Sequence, residues 1–534
     1  MRIKAWLILL FAVLLRPLAA QPHWDNPAVY RLNKVQPHDA VVPQGDWSRS
    51  LGGRWAVSLF AAPAQAERFQ HATARPPDSM QVPGFAELQG LAPWRLPEPA
   101  NPPYAPTDTN TVAFLLRDFT LPPHWDGRRT IVSFGGVASA FYLYVNGREV
   151  GYSEDSRTPA EWDLTRYLRP GSNRIAVKVL RWCDGSYLEW HEAWRLTGIL
   201  REVLLYSVPR TYITDLKVVA TLDTADYRTG HLDVMVDLNR EVQGGFVEVQ
   251  CCGAVLRKAL RQGDWFVSLA PAVGTVQPWA DTTPVLYPLT VRLLDASGVE
   301  QERIVKQVGF RRIEVRRGLL CINGHPMAVR GMARLEQSAL HGPSVSRGEM
   351  RATALRLKAM GINTVRTLHH PSDEYWYHLC DSLGLYLWDE PNIRPMLPEM
   401  ADNPIWLNPM LDRLFNMYRR DRNRTCVVAW SLASLPQGSH CQEEAYRFLK
   451  GKDNTRPVVT MGTWTHRSTD IVCPPRPSPA FLARYVKRLP ANIPCIPMGA
   501  SPEVAPLREY LDTIAANPRL QGLFYAGDEV PPLK

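Results

Sequence analysis

Asp389-Glu390 closes the apolar run LYLWDE (385–390), placing two adjacent carboxyls at a strand-like end. Carboxyls do acid–base or nucleophilic work when their surroundings drive their pKa values apart. A second run, VVAWSLASLPQGSH (427–440), is built like a strand that carries a side chain to a rim and then turns at Pro436 and Gly438. What it carries there is Ala433, Ser434 and Leu435. None of these holds or moves a proton near neutral pH. Asp184 stands before Gly185, a pairing that suits a turn as well as a ligand. Asp528-Glu529, near the end, reads as solvated. The nine cysteines are scattered and none forms a CxxC pair, which argues against zinc.

Strand ends need a scaffold, and the elements fall into three stretches. Residues 21–210 read as short strands. In FGGVASAFYLYVNGREVGYS (134–153), apolar residues alternate up to Asn146-Gly147 and a second strand follows. Asn-Gly between alternating runs is a strong hairpin signal, because both central residues of a type I′ turn need φ > 0. A Pro-rich stretch at 93–107 reads as a surface loop. Residues 211–308 continue as strands separated by turn residues, as in an immunoglobulin-like sandwich. From about 309, strands alternate with helical segments: MAVRGM then RGEMRATALRLKAMG, INTVRTLHH then DEYWYHLCDSLG, and onward to LQGLFYAG. Eight strand candidates in that alternation predict a (β/α)₈ barrel over 309–534, with any chemistry where the strands end. Only DEVPPLK follows the eighth, so the expected barrel is incomplete, lacking its last helix.

With 534 residues, 45% hydrophobic and 21% charged, the chain has the composition of a multidomain globular protein. MRIKAWLILLFAVLLRPLAA combines Arg2 and Lys4, an apolar run and small Ala19 and Ala20, the make-up of a signal peptide over residues 1–20. The run is short for a bilayer span, no later segment reads as transmembrane, and no Cys follows to take a lipid. The expected location is therefore periplasmic or secreted. An oxidising compartment permits disulfides, but an odd cysteine count leaves at least one thiol over. Removing residues 1–20 takes away Arg2, Lys4 and Arg16 and lowers the net charge from +9 to +6. That modest excess carries no basic-aromatic stripe, so nucleic acid is not an expected partner. RRIEVRR (311–317) reads as a solvated strand edge.

Several long blocks resemble one family. The stretch from VASAFYLYVNGREVGY to LTGILREV (137–203) resembles the sugar-binding domain of family 2 glycoside hydrolases, in particular the large bacterial β-galactosidases. VGFRRIEVRRGLLCINGHPMAVRGM (308–332), WYHLCDSLGLYLWDEPNI (376–393), RDRNRTCVVAWSL (420–432) and PRLQGLF (518–524) are similar to that family's barrel and the join leading into it. The resemblance implies a jelly-roll sugar-binding sandwich, an immunoglobulin-like sandwich and a TIM barrel. It also implies later β domains, which this sequence does not contain.

Retaining glycosidases use two carboxyls about 5–5.5 Å apart, one as acid/base and one as nucleophile. In the family the acid/base ends the motif Trp-Ser-Leu-Gly-Asn-Glu. Here Trp430, Ser431 and Leu432 match, while Ala433, Ser434 and Leu435 replace Gly, Asn and Glu. Aligning IPCIPMGAS (493–501) puts Gly499 at the nucleophile, and no Asp or Glu lies between Pro490 and Pro502. The family's magnesium site is implied to be lost, since Arg394, Met396 and Leu435 stand at its ligand positions and hard cations need oxygen ligands. Leu335 and Asp373 stand where histidines contact the sugar, and Ala526 where a tryptophan does. Three contacts match: Asp184, at a carboxylate that binds sugar hydroxyls with a sodium ion; Asn110, at a neighbouring amide; and His369, at a rim histidine. Each has a plainer reading, as turn former, loop cap and structural histidine respectively. The resemblance gives Asp389-Glu390 a loop-supporting role.

Three functions follow. One is a secreted β-galactosidase-like protein that no longer catalyses and binds a galactoside-like carbohydrate or a protein partner. It would use Asp184, Asn110 and His369 and no cofactor, a sodium ion resting on the resemblance alone. The second is an active glycosidase with relocated carboxylates, the candidates being Glu390, Glu503 and Glu336. The third is a decaying, truncated product. The oligomeric state is not legible.

Overall fold

The computed structural model describes residues 21–39, 43, 45–93, 103–189, 195–394, 396–433, 435–500 and 503–526. The expected leader, Ser434 and Asp528-Glu529 lie outside the described residues.

Two antiparallel sheets face each other in the first sandwich. A seven-stranded sheet runs, in spatial order, Arg31–Leu32, Arg148–Ser153, Ala140–Val145, Ser172–Leu180, Val112–Thr120, Gly53–Phe60 and Asp78–Val82. Opposite it lie Ala160–Asp163, Arg129–Phe134, Val203–Val208 and Ser48–Ser50. Inward residues such as Trp55, Leu143, Phe134 and Trp162 fill the space between. The Asn-Gly hairpin forms as its chemistry dictates: Val145 pairs with Arg148, and Asn146 and Gly147 take φ of 51° and 83°. A second sandwich follows, with three strands (Ile213–Leu222, Gly230–Leu238, Phe266–Leu269) packed on four.

The last stretch forms a parallel sheet with strands Val458–Val459, Val427–Ser431, Tyr386–Asp389, Thr364–Thr367, Val329–Arg334, Gly522–Tyr525 and Met498–Ala500 in spatial order. In chain order these are barrel strands five, four, three, two, one, eight and seven. The sixth position is the extended segment 470–475, bridged to strand five at Met461↔Cys473 and to the seventh at Pro475↔Met498. Local chemistry starts the helices. Ser346 and Glu349 form a capping box on Arg347–Ala359, and Ser439 and Ser478 cap His440–Lys452 and Pro479–Arg488. Gly384 ends Glu374–Leu383 with φ 71°. The described residues stop at Ala526, one residue past the eighth strand.

In the basic run 311–317, Val315, Arg316 and Arg317 are exposed at a sheet edge, as expected, while Arg311 departs from that reading. Arg311 is buried and donates to the carbonyls of Thr425 and Val427, tying the barrel's lead-in to its fourth strand. All nine cysteines are free thiols, and eight of them are buried. No described helix is long and apolar enough to cross a membrane.

Candidate functional site

A barrel presents its chemistry at the carboxyl ends of its strands. The fourth strand, Val427–Ser431, is wholly buried. Ala433 just beyond it adopts φ 54°, a left-handed conformation that costs a residue with a Cβ about 1–2 kcal/mol and that the family fills with Gly. Leu435 is 4% exposed and belongs to the large apolar cluster that fills the barrel and reaches into the first sandwich. Gly499, in the seventh strand, has φ 74°, and a Cβ there would lie 3.1 Å from Cγ of Arg476. Both backbone and neighbour therefore disfavour a larger side chain at 499.

Glu390 extends the third strand into the barrel and is fully buried. Its Oε2 accepts from Arg366 Nε (2.6 Å) and Ser431 Oγ (2.7 Å). Its Oε1 accepts from Arg366 Nη2 (3.0 Å) and from the His369 backbone amide (2.8 Å), with His369 Nδ1 at 2.9 Å. Burial alone would raise this carboxyl, but the Arg366 guanidinium and His369 more than offset it and hold it well below the usual range. Glu336, after the first strand, is treated alike. Arg201 of the first sandwich meets its Oε1 at 2.9 Å, the Asp373 amide donates to its Oε2 at 2.8 Å, and Arg334 lies 3.6 Å away. It too is held well below the ordinary range, burial being outweighed by Arg201 and Arg334. Glu503 is exposed, on a turn ahead of the helix Leu507–Ala515 rather than in it. Asp389 faces away from Glu390's partners. Tyr377 Oη donates to it at 2.5 Å, and burial next to Asp421 pushes its carboxyl well up.

Asp184 begins a short 3₁₀ turn, Asp184–Tyr187, against the loop after the third strand, where Arg394 N donates to Leu188 O at 2.7 Å. Its Oδ1 caps Gly185 N at 2.8 Å. Its other oxygen faces the carboxyl of Glu154. Burial raises both: Asp184 to about 6, lowered somewhat by its bond with Glu154, and Glu154 well above its usual value. Asn110 is buried; its amide donates to Trp182 O (3.0 Å) and accepts from Trp182 N (2.9 Å), clamping two segments of the first sandwich. His369 is locked on Glu390 with φ 61°.

These residues do not fit magnesium. Arg394 brings a positive charge, and Met396 and Leu435 sit in the apolar cluster, so no hard oxygen donor comes from the three positions. Near Asp184, the ligand atoms of Glu154, Cys183 and Asp184 lie within 4.8 Å of one another, a mixed set in which a soft thiol stands beside two hard carboxylate oxygens.

Sequence reasoning named the carboxylates but missed what holds them. Arg366 stood out only as a charge within the strand TVRT, and Arg201 and Glu154 carried no local signal. Asp155 and Ser156 join the same interface, taking hydrogen bonds from Asn392 (3.0 Å) and giving one to Glu189 (2.6 Å) respectively.

A β-sandwich, a smaller seven-stranded sandwich and a barrel with carboxylates at its strand ends make up a glycoside-hydrolase architecture. Family models make the assignment specific: the glycosyl hydrolases family 2 sugar binding domain matches residues 48–209, the family 2 central domain 211–311 and the family 2 TIM barrel domain 313–486. The chain belongs to this family and within it is β-galactosidase-like. A β-galactosidase of Enterobacter cloacae is 35% identical over 96% of this chain and 54% of the relative, and one of Priestia megaterium 34% identical over 88% and 50%. The chain thus spans about half the length of the curated relatives it matches. Among solved structures, a Ruminococcus gnavus β-glucuronidase superposes with TM-score 0.75 at 18% identity, covering 92% of both chains. A β-galacturonidase of Eisenbergiella tayi, bound to galacturonate, gives 0.72 at 20%, covering 93% of this chain and 91% of that one.

Proposed function

We propose that this chain is a secreted or periplasmic family 2 protein that does not hydrolyse glycosides and keeps carbohydrate as a ligand. One observation carries the reading: Leu435, aligned with the family's acid/base position, is a buried member of the barrel's apolar core. A leucine cannot give a proton to a leaving oxygen, and general acid–base assistance alone is worth about 10²–10⁴-fold. The relocated-carboxylate reading is weakened by geometry. Glu390 and Glu336 are buried with their oxygens taken up by arginines, and Glu503 is exposed on its turn. Leader chemistry at 1–20 supports export, and cleavage near Ala20 in the mature protein would test it.

The experiment is aryl β-galactoside hydrolysis by the purified chain, with galactose binding measured by calorimetry in parallel. No turnover is expected, with weak binding lost in Asp184→Ala. Turnover abolished by Glu390→Gln or Glu503→Gln would replace this reading with an active enzyme, and absence of both turnover and binding would favour a protein partner or decay.

A further inference from the structure

We propose that a basic cleft where the two sandwiches meet is a second binding site, one that takes an anionic oligosaccharide carrying carboxylate or sulfate groups. The cleft has a volume of about 1270 Å³. The loops 120–130 and 163–171 of the first sandwich line one side, and Arg210 and Arg240 close it from the join and the second sandwich. Arg166, Arg169, Arg210 and Arg240 are exposed in it, and none has an acidic partner among the described residues.

Each of the four is tethered by one neutral oxygen. Arg166 Nη2 donates to Tyr167 Oη (2.7 Å), Arg169 Nε to Ser172 O (3.1 Å), Arg210 Nε to Gly127 O (3.0 Å) and Arg240 Nε to Thr211 Oγ1 (2.9 Å). A tethered guanidinium has already lost part of its rotamer freedom and still offers N–H donors, so little further ordering is needed to meet an anion. The acids in the lining are occupied. Asp163 takes Arg129 (2.7 Å) and the Thr165 amide (2.9 Å), and Asp126 caps Gly127 N (3.0 Å). The cleft therefore keeps an uncompensated positive field inside a concave wall, which concentrates anions. Guanidinium forks match carboxylate and sulfate oxygens two at a time.

A sugar fits the remaining surface better than a nucleic acid does. The lining rings Trp125, Trp162 and Tyr167 are buried, leaving no aromatic face for the base stacking that single-strand binders use. Thr120 and the Asn33 amide oxygen supply neutral groups suited to hydroxyls, the Asn33 nitrogen being engaged with Val150 O.

The test is fluorescence anisotropy of the full chain with labelled tetragalacturonate and a heparin-derived tetrasaccharide at low and physiological salt. Binding of at least one is expected, weakening with salt and unaffected by a neutral galacto-tetrasaccharide competitor. Arg169→Glu with Arg240→Glu should weaken it at least tenfold without altering the circular dichroism or melting profile. Arg169→Gln with Arg240→Gln should do so less severely, and Arg351→Glu with Arg508→Glu, on distant helices, should leave it unchanged. The proposal is overturned if neither glycan binds at low salt, if the distant pair matters as much as the cleft pair, or if an oligothymidylate or phosphatidylglycerol vesicle binds as tightly as the glycans.

Discussion

Glu390 in the barrel and Asp184 in the first sandwich are both buried carboxyls at positions flanking the family's sugar site, yet their charges are managed in opposite ways. Glu390 is neutralised by a permanent cation, Arg366, through two nitrogens at 2.6 and 3.0 Å. Asp184 faces the carboxyl of Glu154 instead, and burial raises both. The first arrangement is rigid and cannot release a proton at any ordinary pH. The second responds to pH, because a carboxyl near 6 changes charge within the range a protein meets. The difference separates a carboxylate held by a permanent cation from one whose charge follows the pH.

The largest effect should come from removing the brace's cation. Arg366→Met leaves Glu390 charged and buried without its partner, an error worth about 3–5 kcal/mol. Chemical denaturation followed by tryptophan fluorescence should show the barrel destabilised by that order, and a loss under about 1 kcal/mol would end the claim that this pair braces the rim.

A smaller, pH-dependent effect should separate Glu390→Gln from the parent. Glu390 is held below its unfolded value, so its contribution is present above about 4.5 and lost as pH falls through the window beneath. The difference between parent and variant should therefore shrink on acidification from pH 5 to pH 3. A difference that stays constant or widens would contradict the ion-pair assignment.

The smallest effect has the reverse sign. Asp184 is raised from 3.8 to about 6, so between those values the folded state holds a proton that the unfolded state has released. Stability from this group is full below about 3.8 and is lost as pH rises toward 6, at roughly 1.4 kcal/mol per pH unit per proton. Asp184→Asn should flatten that slope in melting curves taken at pH 4, 5 and 6. Equal slopes in parent and variant would mean that burial does not raise Asp184.

The scaffold was largely legible before any coordinates. Period-two alternation around Asn146-Gly147 and the alternation of strand and helix after residue 309 are short-range signals, and both are present in the fold. So was the emptiness of the fourth strand's end, since Leu435 follows Trp430 with no gap to blur the register. The sequence could not say that Leu435 would be buried, because the apolar core it joins is drawn from segments far apart along the chain.

Partners of the polar residues depend on distance in space. Asn110, read as a loop cap slightly ahead of a ligand, bonds the backbone of Trp182, 72 residues away. Glu336 meets Arg201, 135 residues earlier, and Glu390 meets Arg366, pairings that no local spacing announces. Local propensity, capping and turn chemistry act over a few residues and so are written along the chain. The charge state of a buried carboxyl depends on which donors the topology brings within about 3 Å of it, and that is decided only when separate strands and domains have packed.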